Sequence, residues 1–130
     1  TPLYSSAASD VYKRQVDDNL LAVRCARNSV QANDLGDWCA VLPSDVTSSV
    51  RDRTYDLVLS NPPFHKGVDV DTSVATRIVR ESAIVLRQGG RLRIVANRFL
   101  PYDRVMRDTF GNVSTIAETG RYRVLESVNR

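Results

Sequence analysis

Apolar residues recur at steps of three and four in two stretches of the chain, which predicts two amphipathic helices. The first covers Leu20 to Val30 and follows an Asp-Asp-Asn start that suits a helix N-terminus. The second covers Val74 to Leu86, and we expect it to close at Gly89-Gly90, where a left-handed residue commonly ends a helix. A shorter third helix is predicted over Tyr102 to Phe110.

Short apolar runs between these helices predict strands. Two of them are expected to be buried, Trp38 to Leu42 and Tyr55 to Ser60, and Arg91 to Ala96 is predicted as a third strand. Thr115 to Glu118 and Tyr122 to Ser127 alternate in polarity, as a closing antiparallel pair would. Because strands alternate with helices, the order predicts an α/β fold with a mostly parallel sheet and a C-terminal antiparallel strand pair.

Residues 1–15 fall outside this pattern. They are rich in Ser and Ala and have no period, so we interpret them as a non-native or disordered leader and place the fold in residues 16–130. The whole chain of 130 residues is long enough for one domain. Its 42% hydrophobic and 25% charged residues are ordinary globular values, which excludes low-complexity disorder.

Composition also limits the partners and the compartment. No apolar run approaches the about 18 residues of a membrane span, and no secretory signal is recognisable, so the predicted location is the cytoplasm. Cys25 and Cys39 have no neighbour at metal-ligand spacing and are expected to be buried hydrophobic residues in a reducing compartment. The net charge of +3 permits a polyanionic partner without identifying one.

Three polar loops lie where strands of the predicted parallel sheet are expected to end. They contain Asp17-Asp18, Ser44-Asp45 and Asn61 to His65. Parallel α/β sheets bind ligands beyond the carboxyl ends of their strands, so these loops are expected to share one binding edge.

The third loop carries the most specific chemistry, because Asn61-Pro62-Pro63-Phe64 directly follows an apolar strand. The prolines restrict the backbone, and the Asn61 amide oxygen and the Pro62 carbonyl can both accept hydrogen bonds from an exocyclic amine. Phe64 offers a face on which a base can stack. The alternative is a rigid loop with a buried Phe64, although its place after a strand favours a site.

The sequence on both sides of this loop resembles that of a known family. SNPPFHKG, LRQGGRLRIVANRFLPY and FGNVSTIAETGRYRVLES resemble the catalytic half of the ribosomal RNA guanine-N2 methyltransferases of the small-subunit methyltransferase C family, to which the G-type enzymes acting on the large subunit are closely related. This resemblance implies a Rossmann-like class I fold, S-adenosylmethionine as cofactor, and transfer of its methyl group to the N2 amine of a guanine in ribosomal RNA. The 16S rRNA is favoured over the 23S rRNA, and neither a metal nor a membrane is expected to take part.

The same resemblance assigns roles to individual residues. The catalytic loop would be Asn61, Pro62, Pro63 and Phe64, which hold the guanine. The cofactor would be bound by Asp17 or its neighbour Asp18 at the ribose, by Asp45 and the Val46 backbone at the adenine, and by Asn61. A substrate pocket would include Phe64, His65, Asn97, Arg98 and Tyr102, although loop packing explains His65, and a capped turn explains Asn97, equally well.

One family feature is absent from these 130 residues. None of the six glycines forms the G-x-G spacing of the loop that holds the methionine part of the cofactor. We therefore expect an N-terminally truncated catalytic domain that is inactive alone. Two other functions remain open: methylation of an adenine or protein-glutamine amine, and a non-catalytic RNA-binding module. The target nucleotide and the oligomeric state are also open.

Overall fold

The computed structural model describes residues 13–36, 39–43, 46–62 and 72–130. The chain divides into two compact units, Thr1–Val50 and Arg51–Arg130. The first contains strand β1 (Lys13–Asp17), helix α1 (Leu20–Ala32) and strand β2 (Cys39–Pro43). β1 and β2 pair in parallel, with Lys13 opposite Cys39 and Asp17 opposite Pro43.

Strand β1 begins earlier than the sequence pattern predicted. It includes Lys13, Arg14 and Gln15, three residues that the sequence pattern assigned to the leader. Their side chains give no apolar alternation, and the strand is defined instead by its ladder with β2. The remaining leader, residues 1–12, lies outside the described part of the chain.

The core of the first unit forms between α1 and β2. Val23 and Val30 of the helix are buried with Cys39 and Val41 of the strand. Burial raises the pKa of the Cys39 thiol, which keeps it protonated. Cys25, in contrast, is exposed, so its predicted burial is wrong. Two helical steps rotate Cys25 by about 200° from Val23, which places it away from the core face.

The second unit is a mixed sheet with two helices. It contains β3 (Tyr55–Ser60), α2 (Thr72–Val85), β4 (Leu86–Asn97), α3 (Tyr102–Phe110), β5 (Ser114–Glu118) and β6 (Tyr122–Val128). The strand order is β3-β4-β6-β5, in which β3 and β4 are parallel and the other two pairs are antiparallel. The predicted antiparallel closing pair is therefore confirmed, and β6 lies between β4 and β5.

Alternate residues of β4 form the core of this unit. Leu92 and Ile94 are fully buried, together with Val79 of α2 and Met106 of α3. Both helices thus supply apolar side chains to the same core. Arg91, which alternates with these residues, belongs to the opposite face of the sheet.

The prediction that the Gly89-Gly90 pair closes α2 is wrong. The helix ends at Val85, and both glycines lie within β4. Between Tyr55 and Leu57 the ladder with β3 shifts, and Gly89 there adopts a φ of 82°. A Cβ on Gly90 would lie 2.9 Å from the backbone oxygen of Arg87, so the irregular strand needs glycine at this point.

Tyr102 also belongs to this core. It is only 4% exposed and packs with Met106 and Leu92 in the core, and burial raises the pKa of its hydroxyl. A side chain this buried supports the start of α3 by packing, and a contact between Tyr102 and a substrate stays a prediction.

A buried carboxylate joins two strands on the other face of the sheet. The Glu126 side chain is 8% exposed and accepts hydrogen bonds from Arg93 Nε at 2.7 Å and from Arg91 Nη1 at 2.6 Å. Arg93 and Glu126 are direct cross-strand partners. The hydrogen bond from Arg93 and the positive charge of both arginines lower the pKa of Glu126, although its desolvation opposes this shift.

We predict that Tyr102→Ala lowers the free energy of unfolding by about 3–5 kcal/mol, because it empties an aromatic core position. Tyr102→Phe keeps the ring and should cost less than about 1 kcal/mol. Urea unfolding of both variants measures the difference. Equal losses in the two variants would show that the hydroxyl, and not the packing of the ring, matters.

Replacing Glu126 should destabilise the chain in a pH-dependent way. We expect Glu126→Gln to cost about 1–2 kcal/mol at pH 7, because the carboxylate accepts charge-assisted hydrogen bonds from two half-exposed arginines. Since the folded-state pKa is lowered, this stabilisation is complete above the ordinary glutamate pKa and is lost as the pH falls through the folded-state value.

Urea unfolding at neutral and acidic pH checks this prediction. The matched control is Glu118→Gln, which removes an exposed carboxylate lying 3.9 Å from Arg98. A pH-independent difference between the parent and Glu126→Gln would contradict the assignment, as would an equal loss in the control.

Candidate functional site

The first set of predicted site residues lies where β1 meets α1. Asp17 is the last residue of β1, and its Oδ1 accepts a hydrogen bond of 2.8 Å from the Asn19 backbone N–H. Asn19 in turn caps α1 by accepting from Leu21 N and Ala22 N. The carboxylate of Asp17 is therefore held at a fixed place by the backbone, whereas Asp18 is simply exposed.

The parallel ladder brings the loop after β2 to the same edge. Asp17 is opposite Pro43, so the chain leaves β2 level with the Asp17 carboxylate. Val46 has a φ of 55°, a left-handed conformation that is rare for a β-branched residue. Such backbone conformations cost free energy and are concentrated at functional sites. Asp45 lies outside the described residues, and its cofactor contact stays a prediction.

The second set lies at the end of β3. Asn61 follows Ser60 directly, and Ser60 is paired with Ile94 of β4. Asn61 is exposed and Pro62 is buried, so the proline anchors the start of the loop while the amide faces solvent. Pro63, Phe64 and His65 lie outside the described residues, and their roles stay predictions.

The end of β4 contributes the neighbouring turn. Asn97 Oδ1 accepts a hydrogen bond of 3.0 Å from Phe99 N, and the Asn97 carbonyl accepts from Leu100 N. Of the two roles that the sequence allowed for Asn97, the structure thus shows the capped turn. Arg98 follows with a half-exposed side chain and donates from its backbone to Arg121 O at 3.0 Å.

The parallel pairing of β3 and β4 brings Asn61 and Asn97 to one edge of the sheet. Asn61 is level with Val95 in this register, and Asn97 lies two residues, or about 7 Å, further along β4. Asn61, Asn97 and Arg98 therefore form an edge of hydrogen-bonding groups in the second unit. Asp17 and Val46 form the corresponding edge in the first unit.

One exposed residue at this edge was missed by the sequence analysis. Phe99 has 88% of its surface exposed, the highest value among the exposed large hydrophobic residues of the described chain. Its place in the RFLPY stretch gave no signal, because a phenylalanine beside leucine and proline usually predicts packing. Only the structure separates exposed Phe99 from half-buried Leu100.

The open cavity of the first unit is not this site. It has a volume of about 230 Å³ and is lined by residues near the start of β2, among them Arg27, Asp34 and Cys39. Asp17 and Val46 lie at or beyond the opposite ends of the strands. No group of three or more His, Cys, Asp or Glu side chains in the described ranges could hold a metal ion.

The two edges differ in their chemistry. A fixed carboxylate such as that of Asp17 can accept hydrogen bonds from the hydroxyls of a ribose. The amide oxygen of Asn61 and the carbonyl of Pro62 can accept from the amine of a base, and neither group supplies a nucleophile or a strong acid. The two acceptors at the end of β3 therefore suit positioning of an amine.

Comparison with known proteins shows which family the chain belongs to. The profile of the methyltransferase small domain matches residues 4–126. A protein of Klebsiella pneumoniae called ribosomal RNA small subunit methyltransferase C is 44% identical over 108 residues, and its Cronobacter sakazakii counterpart is 42% identical over 107. Each alignment covers 82% of this chain and 30% of the relative, so the chain spans about a third of their length.

Solved structures agree with the sequence relatives. The T. thermophilus 16S rRNA N2 G1207 methyltransferase, solved in complex with AdoMet and guanosine, superposes with a TM-score of 0.82 and 33% identity. The match covers 90% of this chain and 31% of that one. The predicted Rossmann-like class I fold is thereby confirmed, and the profile match over residues 4–126 shows that the chain belongs to the methyltransferase small domain family.

Proposed function

We propose that this chain forms the amine-binding part of an S-adenosylmethionine-dependent methyltransferase that modifies the N2 amine of a guanine in ribosomal RNA. The observation that carries the proposal is the position of Asn61. It is exposed at the end of a strand, with the next residue, Pro62, buried to anchor the loop. The name of the T. thermophilus relative specifies the N2 position of a guanine in 16S rRNA, which favours guanine over an adenine or glutamine amine.

The residues of the first unit fit the cofactor in part. Asp17 would bind the ribose hydroxyls, because its carboxylate is fixed by Asn19 at the end of β1. The left-handed Val46 would offer its backbone to the adenine, together with Asp45. When bound, S-adenosylmethionine supplies a methyl group on a sulfonium centre that is already activated for transfer.

The chain's own contribution is orientation and charge stabilisation. Asn61 Oδ1 and the Pro62 carbonyl would accept hydrogen bonds from the guanine amine, which turns the nitrogen lone pair outward for attack. As the nitrogen gains positive charge, the same two acceptors bind it more strongly than they bind the neutral amine. Phe64 would stack on the base and hold its plane. No side chain has to form a covalent intermediate.

The proposed partner is ribosomal RNA of the small subunit, met in the cytoplasm. The guanine amine must be accessible, so the substrate is a single-stranded or flipped nucleotide. None of the helices in the described ranges has the length and apolarity needed to cross a membrane.

We expect the 130 residues alone to bind S-adenosylmethionine weakly. None of their six glycines has the G-x-G spacing that brings backbone N–H groups close to the methionine part of the cofactor. Isothermal titration calorimetry on the chain measures this directly. A low-micromolar dissociation constant would contradict the expectation and would show that Asp17 and Val46 suffice.

The catalytic assignment is tested with Asn61→Ala. Because the chain spans 30% of the Klebsiella relative, the variant is made in that relative after exchange of the matched segment for this chain. We predict a single-turnover rate on small ribosomal subunits lower by ~10²–10³, since one preorganised polar partner of the transition state is lost. Cofactor affinity should change by only a few-fold.

Asn28→Ala is the matched control, because Asn28 is an exposed asparagine on α1. It should leave both the rate and the cofactor affinity unchanged. Parental methyl transfer by Asn61→Ala would overturn the proposal that Asn61 holds the amine. Joint loss of folding and cofactor binding would instead identify the loop as structural.

A further inference from the structure

Phe99 is exposed although its backbone is held firmly. The turn that carries it is closed by hydrogen bonds from Phe99 N to Asn97 Oδ1 and from Leu100 N to Asn97 O, both 3.0 Å long. Leaving such a ring in water forgoes the favourable free energy that its burial would contribute. A fixed turn that places an aromatic ring in solvent is consistent with a contact to another molecule.

Hydrogen bonds to the β5–β6 loop and from β6 hold the same turn in place. Arg98 N donates to Arg121 O at 3.0 Å, which ties the turn to the loop between β5 and β6. Arg123 Nη2 donates to the Leu100 carbonyl at 3.3 Å and to Asp103 Oδ1 at 3.0 Å. The position of the Phe99 backbone is therefore determined by β4, α3 and β6 together.

The stretch of chain around Phe99 is rich in arginine. Residues 97–123 contain five arginines and three acidic residues. Arg98, Arg104 and Arg121 are exposed, Glu118 lies 3.9 Å from Arg98, and Asp103 is paired with Arg123. A second aromatic residue, Tyr122, is 41% exposed and lies opposite Asn97 in the ladder.

We propose that Phe99 is a base-stacking residue that binds a single-stranded RNA segment beside the target guanine, with Arg98 and Arg121 contacting its phosphates. This inference rests on the proposed function, because Phe99 follows Asn97 at the edge that also carries Asn61. Proteins that bind single-stranded nucleic acids combine aromatic platforms with positive charge in this way.

The charge pattern favours RNA over a protein partner. Protein-docking sites present contiguous apolar patches, whereas Phe99 directly follows an exposed arginine, Arg98. Its apolar neighbour Leu100 is already half-buried within the unit. A single exposed ring with exposed arginines nearby in the chain suits stacking on a base whose phosphates the arginines contact.

Fluorescence anisotropy with a labelled single-stranded RNA oligonucleotide that contains guanine tests this on the 130-residue chain. We expect Phe99→Ala to raise the dissociation constant roughly 5- to 100-fold, the effect of losing one stacked base. Phe99→Tyr should retain the parental affinity, because it keeps the ring. Phe99→Leu should resemble alanine, since it keeps apolar volume without an aromatic face.

Ile84→Ala is the matched control, because Ile84 is 57% exposed and lies on α2 next to the start of β4, at the opposite edge. It should leave RNA affinity unchanged. A direct readout is added by placing 2-aminopurine at the nucleotide next to the guanine. Stacking of the 2-aminopurine on Phe99 should quench the fluorescence of this base, and Phe99→Ala should abolish the quenching. Thermal unfolding should be the same for all variants.

Unchanged affinity of Phe99→Ala, parental affinity of Phe99→Leu, or no RNA binding by the parent would each overturn the inference. The first two results would instead assign the ring to a protein contact. Methyl transfer by the exchanged Klebsiella protein separates this inference from the proposed function. If guanine is still methylated while Phe99→Ala binds RNA normally, the function stands and the stacking role is wrong.

Discussion

The fold of the second unit depends on the two-sided pairing of β4. This strand hydrogen-bonds to β3 on one side and to β6 on the other, and its residues Leu92 and Ile94 are fully buried beneath α2 and α3. The same pairing fixes the register that brings Asn61 and Asn97 to one edge. Loss of this packing would therefore remove the site together with the fold.

The strength of the local sequence pattern explains which helices and strands could be predicted well. Tyr55–Ser60 and Tyr102–Phe110 have the predicted bounds, because proline and glycine punctuate their ends and apolar residues define their faces. β1 was missed at Lys13–Gln15 because only pairing with β2 defines it. Gly89 has the expected left-handed conformation, but it lies in an irregular part of β4 and does not end a helix. The irregularity depends on the pairing of β4 with β3, which no local sequence pattern encodes.

The site residues divide in the same way, into features that residue types define and features that only the tertiary structure defines. The acceptor atoms of Asn61-Pro62 can be identified from the sequence because residue types alone define them, and their role in holding an amine stays a prediction. Exposure was not readable: Tyr102 and Phe99 are aromatic residues three positions apart, yet one is 4% exposed and the other 88%. Helix α3 turns Tyr102 into the core, whereas the turn capped by Asn97 leaves Phe99 in solvent. Tertiary structure alone distinguishes a packing residue from one that is free to contact another molecule.

We propose that the acceptors at the end of β3 select the exocyclic amine of guanine. The identity of the methylated atom tests it most directly. The Klebsiella relative carrying this chain is incubated with small ribosomal subunits and S-adenosylmethionine bearing an isotope-labelled methyl group, and the RNA is digested to nucleosides for mass spectrometry. We predict that the label is found in N2-methylguanosine. Label in N6-methyladenosine or in protein glutamine, with none in N2-methylguanosine, would contradict the claim.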